Sequence, residues 1–367
     1  MAPTTRWTER RTAAPRKPLS KSRVPEDPLD YEARAQAVLA PHVAAYYSTG
    51  AGSGDALREG VADWTAVRFR PRILTDLGSV ETGTAVLGTA VRTPILVAPM
   101  AQQLGANPDG ESAMGRAVAA TGSLLGVSTF TAVPFAAIAA TGAPWWLQVY
   151  VVRDHGLTEL LVRRALEHGA RALLLTVDLT VPLPPTVNPR DWPEGEAKTR
   201  HTNITPEELA AAGVRGLEMD PSMGFATISW LRELSGLPVL VKGVLRADDA
   251  RRCMAAGASG VVVSTHGGRR LGPSTTSARA LPEVVAAVGG EGEVYVDSGL
   301  RTPEHVAAAL AMGAQAVFLG RPALWALAAE GSPGVEALLT GLTDGLRQVM
   351  GQLGVARLPD LTADLIA

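Results

Sequence analysis

The sequence is nearly devoid of cysteine: Cys253 is the one thiol in 367 residues, so no internal disulfide can form. It falls in residues 251–256, a stretch that reads as helix. A reducing, cytoplasmic setting is the resulting expectation, with disulfide-free secretion as the alternative. Long apolar runs are missing too, and no window approaches the roughly 18 residues that a membrane span requires. Residues 1–27 carry Arg6, Arg10, Arg11, Arg16, Lys17, Lys21 and Arg23 without the apolar stretch of a secretory signal. They read as a mobile basic tail, a nucleic-acid arm being the alternative. Charge of one sign is not in excess either, since the formal net charge is -2 and the pI about 6.3. Neither nucleic acid nor an anionic membrane is an expected partner, which leaves a small molecule.

What the sequence does have is apolar content. Hydrophobic residues make up 46% of the chain, enough for one large domain over residues 28–367. From residue 90 onward, short runs rich in Val, Ile and Leu alternate with Ala-rich segments of helical period such as 157–168, 247–256 and 303–312. The strand candidates are 95–98, 124–128, 146–150, 172–178, 239–242, 260–265, 294–297 and 316–320. Eight near-continuous apolar strands, each followed by a helix, predict a closed (β/α)₈ TIM barrel, with an open doubly wound sheet as runner-up. Residues 28–88 are expected to form helices and a small hairpin that close the barrel bottom. Residues 179–221, rich in proline and charge, read as a long loop after the fourth strand, a lid over the barrel mouth or a passive insertion.

Polar residues gather at the C-terminal ends of these strands: Gln148 and Tyr150, Thr176 and Asp178, Lys242, Ser264, Asp297, and Gly320 with Arg321. Such groups are costly to bury unpaired, so they point to a site at one face of the barrel. The strongest local signal is Ser264-Thr265-His266-Gly267-Gly268-Arg269-Arg270. An imidazole accepts a proton near neutral pH, the glycines allow a tight turn, and an arginine beside the base can hold an anion.

With these segments in view the chain resembles the FMN-dependent α-hydroxy acid oxidase and dehydrogenase family, as a divergent member, over about residues 30–355. The resemblance is carried in order by Tyr46-Tyr47-Ser48-Thr49-Gly50-Ala51, Phe69-Arg70-Pro71-Arg72, Ala98-Pro99-Met100-Ala101, Gln148-Val149-Tyr150, Thr176-Val177-Asp178, Val241-Lys242-Gly243-Val244, the histidine motif, Asp297-Ser298-Gly299-Leu300-Arg301 and Gly320-Arg321-Pro322. It implies FMN as cofactor, with Pro99, Met100 and Ala101 facing the flavin ring and Ser128, Gln148 and Thr176 on its polar edge. Lys242 would set positive charge by the ring, with Ser264 and Asp297 nearby. Arg301, Arg321 and the amides near Gly299 and Gly320 would hold the phosphate. His266 would be the base that takes the substrate hydroxyl proton while hydride passes to the flavin, Asp178 would stabilise the imidazolium, and Tyr46, Tyr150 and Arg269 would bind substrate. Molecular oxygen or another acceptor would take the electrons, and a homotetramer is the assembly the resemblance suggests.

The departures lie on the substrate side. The family pattern continues after the fourth strand to an arginine that faces the other carboxylate-binding arginine, and Pro185 stands there instead. Thr265 replaces a usual asparagine, Gly272 a usual aspartate, and Phe130 a usual Trp or Tyr. Either Arg190 or Arg200 enters from the lid, or the substrate is not a simple 2-hydroxy acid but a less anionic alcohol or an amine, the reading this pattern favours. Two other classes are weighed against an oxidoreductase: a non-redox binding protein on the same barrel, and an FMN-barrel isomerase. The complete His266 and Asp178 pair argues against the first, and the match through the catalytic segments against the second.

Overall fold

A computed structural model describes residues 28–75, 77–179, 202–214 and 216–367. The expected basic tail, residues 1–27, lies outside the described residues. Helices α1 (Pro28–Val38), α2 (Pro41–Ser48) and α3 (Asp55–Ala66) precede an antiparallel hairpin of β1 (Thr84–Val86) and β2 (Thr89–Val91). Eight parallel strands follow: β3 (Ile95–Val97), β4 (Leu125–Val127), β5 (Trp145–Val149), β6 (Leu173–Thr176), β7 (Val239–Val244), β8 (Gly260–Val263), β9 (Glu293–Val296) and β10 (Ala316–Leu319). Between them run α4 (Gly110–Thr121), α5 (Phe135–Ala139), α6 (His155–Glu167), α7 (Pro206–Ala211), α8 (Ala226–Ser235), α9 (Ala247–Ala255), α10 (Ser277–Val288) and α11 (Pro303–Ala311), and α12 (Arg321–Leu353) ends the barrel. Pairing of β10 with β3, Val317 against Ile95, closes the sheet and excludes the open doubly wound alternative.

Period-two alternation explains both the core and the site. Leu96, Trp146, Leu174, Leu240, Val262, Tyr295 and Phe318 point inward and pack with Val86 and Val91 of the hairpin, which plugs the barrel from below. Their strand neighbours, such as Val97, Leu147, Leu175, Val241 and Val263, point outward against the helices. The indole of Trp146 lies 5.6 Å from the Tyr295 ring and 6.0 Å from Phe318, so the barrel interior is filled and is not a pore. Truncating a buried aromatic such as Trp146 to alanine costs about 3–5 kcal/mol. Two residues further along each strand the inward position belongs to Ala98, Gln148, Thr176, Lys242, Ser264, Asp297 and Gly320. The side chains at the barrel mouth are thus the next inward layer above a sealed apolar floor.

The segment expected as one long loop is more structured than its composition suggested. Within it α7 begins with a capping box, Thr205 accepting from the Glu208 amide and Glu208 accepting from the Thr205 amide. Arg164 of α6 donates to both Glu208 carboxylate oxygens at 2.9 and 2.5 Å. Asn203 Oδ1 accepts from the Phe135 amide at 2.9 Å. This half of the segment is docked against the barrel wall. Residues 180–201, with Pro185, Arg190 and Arg200, lie outside the described residues. Among the described residues no helix is long and apolar enough to cross a membrane.

Candidate active site

A cavity of about 610 Å³ opens at the C-terminal face of the barrel, within the ~300–1,000 Å³ usual for small-molecule sites. Nearly every residue singled out from the sequence lines it. Pro99, Met100 and Ala101 form one wall, and Ser128, Gln148, Thr176 and Lys242 the floor. Asp297, Gly299, Arg301, Gly320 and Arg321 line another side, and Tyr46, Tyr150, His266 and Arg269 the mouth. Ser264 and Asp178 stand just behind, each bonded to a residue that lines the cavity.

His266 Nδ1 lies 3.0 Å from Asp178 Oδ1. Burial pushes the Asp178 carboxyl pKa up, but the charge and hydrogen bond of His266, then Lys242 and Arg270, outweigh it and hold it below the ordinary value. The carboxylate is therefore ionised and can only accept, so His266 Nδ1 is the donor in this contact and Nε2 is the ring nitrogen left for other partners. The approach depends on Gly243, whose φ is 108° and whose hypothetical Cβ would stand 2.7 Å from Asp178 Cβ. His266 itself has φ 54°, a left-handed conformation that costs a non-glycine residue about 1–3 kcal/mol. Its amide donates to Ser264 Oγ at 3.0 Å, and that hydroxyl accepts from Lys242 Nζ at 2.8 Å.

A residue without an expected role braces the turn. Ser298, at φ 73°, accepts at Oγ from the Thr265 and Gly267 amides at 3.1 and 2.9 Å and donates to Asp297 at 2.6 Å. Thr265 Oγ1 accepts from the Gly268 amide at 3.2 Å, and Phe130 packs 5.5 Å from the Tyr150 ring. Arg270 is a second residue without an expected role, and it also lines the cavity. Its Nε donates to the Asp178 carbonyl at 2.5 Å.

The cavity carries the imprint of a planar, hydrogen-bonding ring and an anion. Gln148 accepts at Oε1 from Ser128 and the Thr129 amide, while its buried Nε2 has no hydrogen-bond partner among the described residues. Arg321 donates to the Tyr47, Gly267 and Thr49 carbonyls at 2.9, 2.7 and 2.9 Å. Burial, and then the Arg269 and Arg301 charges, push its pKa down to about 9, with Glu32 offsetting only part. Crowding buried guanidiniums is unfavourable until an anion neutralises them, and a phosphate does so with bidentate geometry. These residues fit FMN: an unmet amide donor at the ring edge and a basic pocket after β9 and β10.

The model of the FMN-dependent dehydrogenase family matches residues 35–367. The chain belongs to that family. Among its relatives, L-lactate oxidase of Nostoc sp. is 37% identical over 358 residues, covering 92% of this chain and 97% of the relative. Human 2-hydroxyacid oxidase 1 is 36% identical over 346 residues, covering 89% and 92%. A solved structure of mandelate oxidase with (S)-2-phenylpropionate superposes with a TM-score of 0.84 at 34% identity, covering 93% of this chain and 97% of that one. Like other members of the FMN-dependent dehydrogenase family, this chain is an FMN-dependent oxidoreductase.

Proposed function

We propose that this enzyme oxidises the hydroxyl-bearing carbon of a small 2-hydroxy acid to a carbonyl, with His266 as the base and molecular oxygen as the final acceptor. The observation that carries the reading is the His266 and Asp178 pair, 3.0 Å apart at the rim of a cavity fitted for FMN. His266 Nε2 takes the hydroxyl proton, and Asp178, ionised on the other side of the ring, stabilises the imidazolium. Bound FMN supplies the two-electron acceptor for the hydride leaving the same carbon. Lys242 holds positive charge at the cavity floor, where burial disfavours it but Asp297 and Asp178 keep it protonated. Tyr150 stays a neutral donor, because burial and the Asp178 charge push its pKa upward.

Arg301, Arg321 and the backbone near Gly299 and Gly320 hold the phosphate in this reading, and Tyr46 and Arg269 meet the substrate. A homotetramer, suggested by the family resemblance, and a cytoplasmic setting, supported by the lone buried Cys253, belong to the same proposal. Purified protein is expected to be yellow, with about one FMN per chain. The deciding experiment is anaerobic mixing with hydroxy acids, neutral alcohols and amines while the flavin absorbance is followed. Bleaching by hydroxy acids supports the reading, and bleaching by none of the panel refutes it.

A further inference from the structure

The turn that carries His266 presents four consecutive amides, and a side-chain hydroxyl takes each of them. His266, Gly267 and Gly268 all have positive φ, 54°, 66° and 73°, so the chain reverses within three residues. The Thr265 and Gly267 amides donate to Ser298 Oγ at 3.1 and 2.9 Å, the His266 amide to Ser264 Oγ at 3.0 Å, and the Gly268 amide to Thr265 Oγ1 at 3.2 Å. Thr265 stands where the family resemblance calls for asparagine, and its hydroxyl is used by Gly268. The two amides that bracket His266 are thus left to a residue of another loop.

Ser298 and Ser264 lead to the same buried pair. Ser298 Oγ donates to Asp297 Oδ1 at 2.6 Å, Asp297 Oδ2 lies 2.9 Å from Lys242 Nζ, and Lys242 donates to Ser264 Oγ at 2.8 Å. With the His266 and Gly267 amides these contacts close a ring, so the peptide of the base is tied from both sides to one ion pair. Movement of that peptide away from Asp178 stretches the link through Ser298 or the link through Ser264. The Ser298 end of the ring is itself anchored, because its carbonyl accepts from Trp64 Nε1 of α3 at 3.0 Å and from Ser277 Oγ of α10 at 2.8 Å. Its φ of 73° suits glycine better than serine, so the hydroxyl is kept against a backbone preference.

We propose that Ser298 is a positioning residue for the base, its hydroxyl fixing the His266 turn to the Lys242 and Asp297 pair so that the imidazole faces Asp178 and the substrate together. Its effect runs through His266. The inference rests on the oxidoreductase reading, with His266 as the base. Ser298 also lines the cavity, so cofactor retention is measured beside reduction.

The test uses the FMN-loaded protein and Ser298→Gly, which removes the hydroxyl and suits the left-handed backbone, with Ser298→Ala as a second variant. On anaerobic mixing with a hydroxy acid that bleaches the flavin, the limiting reduction rate should fall roughly ten- to a hundredfold, the cost of a slightly misplaced base. The acid concentration at half-maximal rate and FMN retention on ultrafiltration should each change by less than about threefold. In a His266→Asn background the same replacement should slow reduction by less than about twofold, because the group it positions is gone. Hydrogen exchange of the FMN-free protein is a readout independent of turnover, and the Thr265 and Gly267 amides should exchange faster in both variants. An unchanged limiting rate in Ser298→Gly overturns the proposal. So does equal slowing with and without His266, which places the effect in the general packing of the site, and so does unchanged exchange at residues 265–267. Failure of every hydroxy acid to bleach the unmodified protein strikes the oxidoreductase reading and the role built on it. Normal bleaching with an unaffected Ser298→Gly strikes Ser298 alone.

Discussion

Lys242 Nζ lies 2.9 Å from Asp297 Oδ2, with both side chains more than nine-tenths buried. Lys242 lies in β7 and Asp297 directly follows β9, and Lys242 also donates to Ser264, which follows the strand between them. Three adjacent strands are thereby tied at the level where the apolar floor stops and the site begins. The ammonium sits in a low-dielectric place, where a fixed charge acts far more strongly than in water.

Replacing Lys242 by methionine leaves the buried Asp297 side chain without the ammonium that faces it. Removing one member of such a pair costs about 3–5 kcal/mol, far above the ~0–1 kcal/mol of a surface pair. Urea unfolding of Lys242→Met and of Lys242→Met with Asp297→Asn should show a large loss in the first and substantial recovery in the second. A loss under about 1 kcal/mol in the single variant would mean that water reaches this pair.

The second prediction concerns the base. His266→Asn should retain FMN, because the cofactor-side residues are untouched, yet slow anaerobic flavin reduction by roughly 10²-fold or more. Asp178→Asn should also slow it, since a neutral amide stabilises an imidazolium far less than a carboxylate does. Near-normal reduction by His266→Asn at neutral pH would assign proton removal to another group.

Arg301 tests the phosphate pocket with little structural disturbance, since the contact seen for its Nη1 is the neighbouring Leu300 carbonyl at 2.8 Å. Burial holds its pKa below the ordinary value. Arg301→Gln should weaken FMN binding by roughly ten- to a hundredfold, the worth of a charge-assisted hydrogen bond. The stability of the FMN-free protein should hold or rise, because a buried cation is gone. Ultrafiltration and unfolding with and without FMN measure the two, and unchanged FMN retention would move the phosphate elsewhere.

The barrel was legible because its strands are buried on both faces, so the runs around β3, β6 and β8 are continuous in Val, Ile and Leu. The site was legible where polar residues broke those runs at their ends, as Gln148, Lys242 and Asp297 do. Three features were not. Helix α7 is six residues long and has no apolar stripe, and it persists through Thr205, Glu208 and Arg164. Its Thr205-Pro206-Glu207-Glu208 start is a capping-box signal that a closer reading of the sequence could have used. Ser298 acts through a left-handed backbone and a neighbouring loop, neither of which periodicity encodes. Arg270 was visible as a residue, but its direction depends on three successive positive φ angles, and only the folded turn reveals it.

The last prediction links pH to the support beneath the phosphate pocket. His305 is buried on α11, its Nδ1 accepting from the Arg301 amide at 3.2 Å and its Nε2 lying 3.2 Å from Thr65 Oγ1. Burial pushes its pKa down to about 4 from an ordinary 6.5. Between those values the unfolded chain binds a proton that the folded protein refuses, so this residue makes stability fall as pH falls through that window. Glu111 works in the opposite sense, because burial pushes its carboxyl from an ordinary 4.5 up to about 7 and the folded state then binds the extra proton. A melting curve of the unmodified protein alone mixes the two contributions. His305→Gln separates them, since its amide can accept from the Arg301 N–H and donate to Thr65 without titrating, while Glu111 is common to both proteins. As pH is lowered from 7 toward 4, the unmodified protein should lose stability relative to His305→Gln and release FMN faster than the variant does. A stability difference that stays constant across that range would show that His305 keeps its proton balance on unfolding, and that the loop carrying Arg301 is not linked to pH through it.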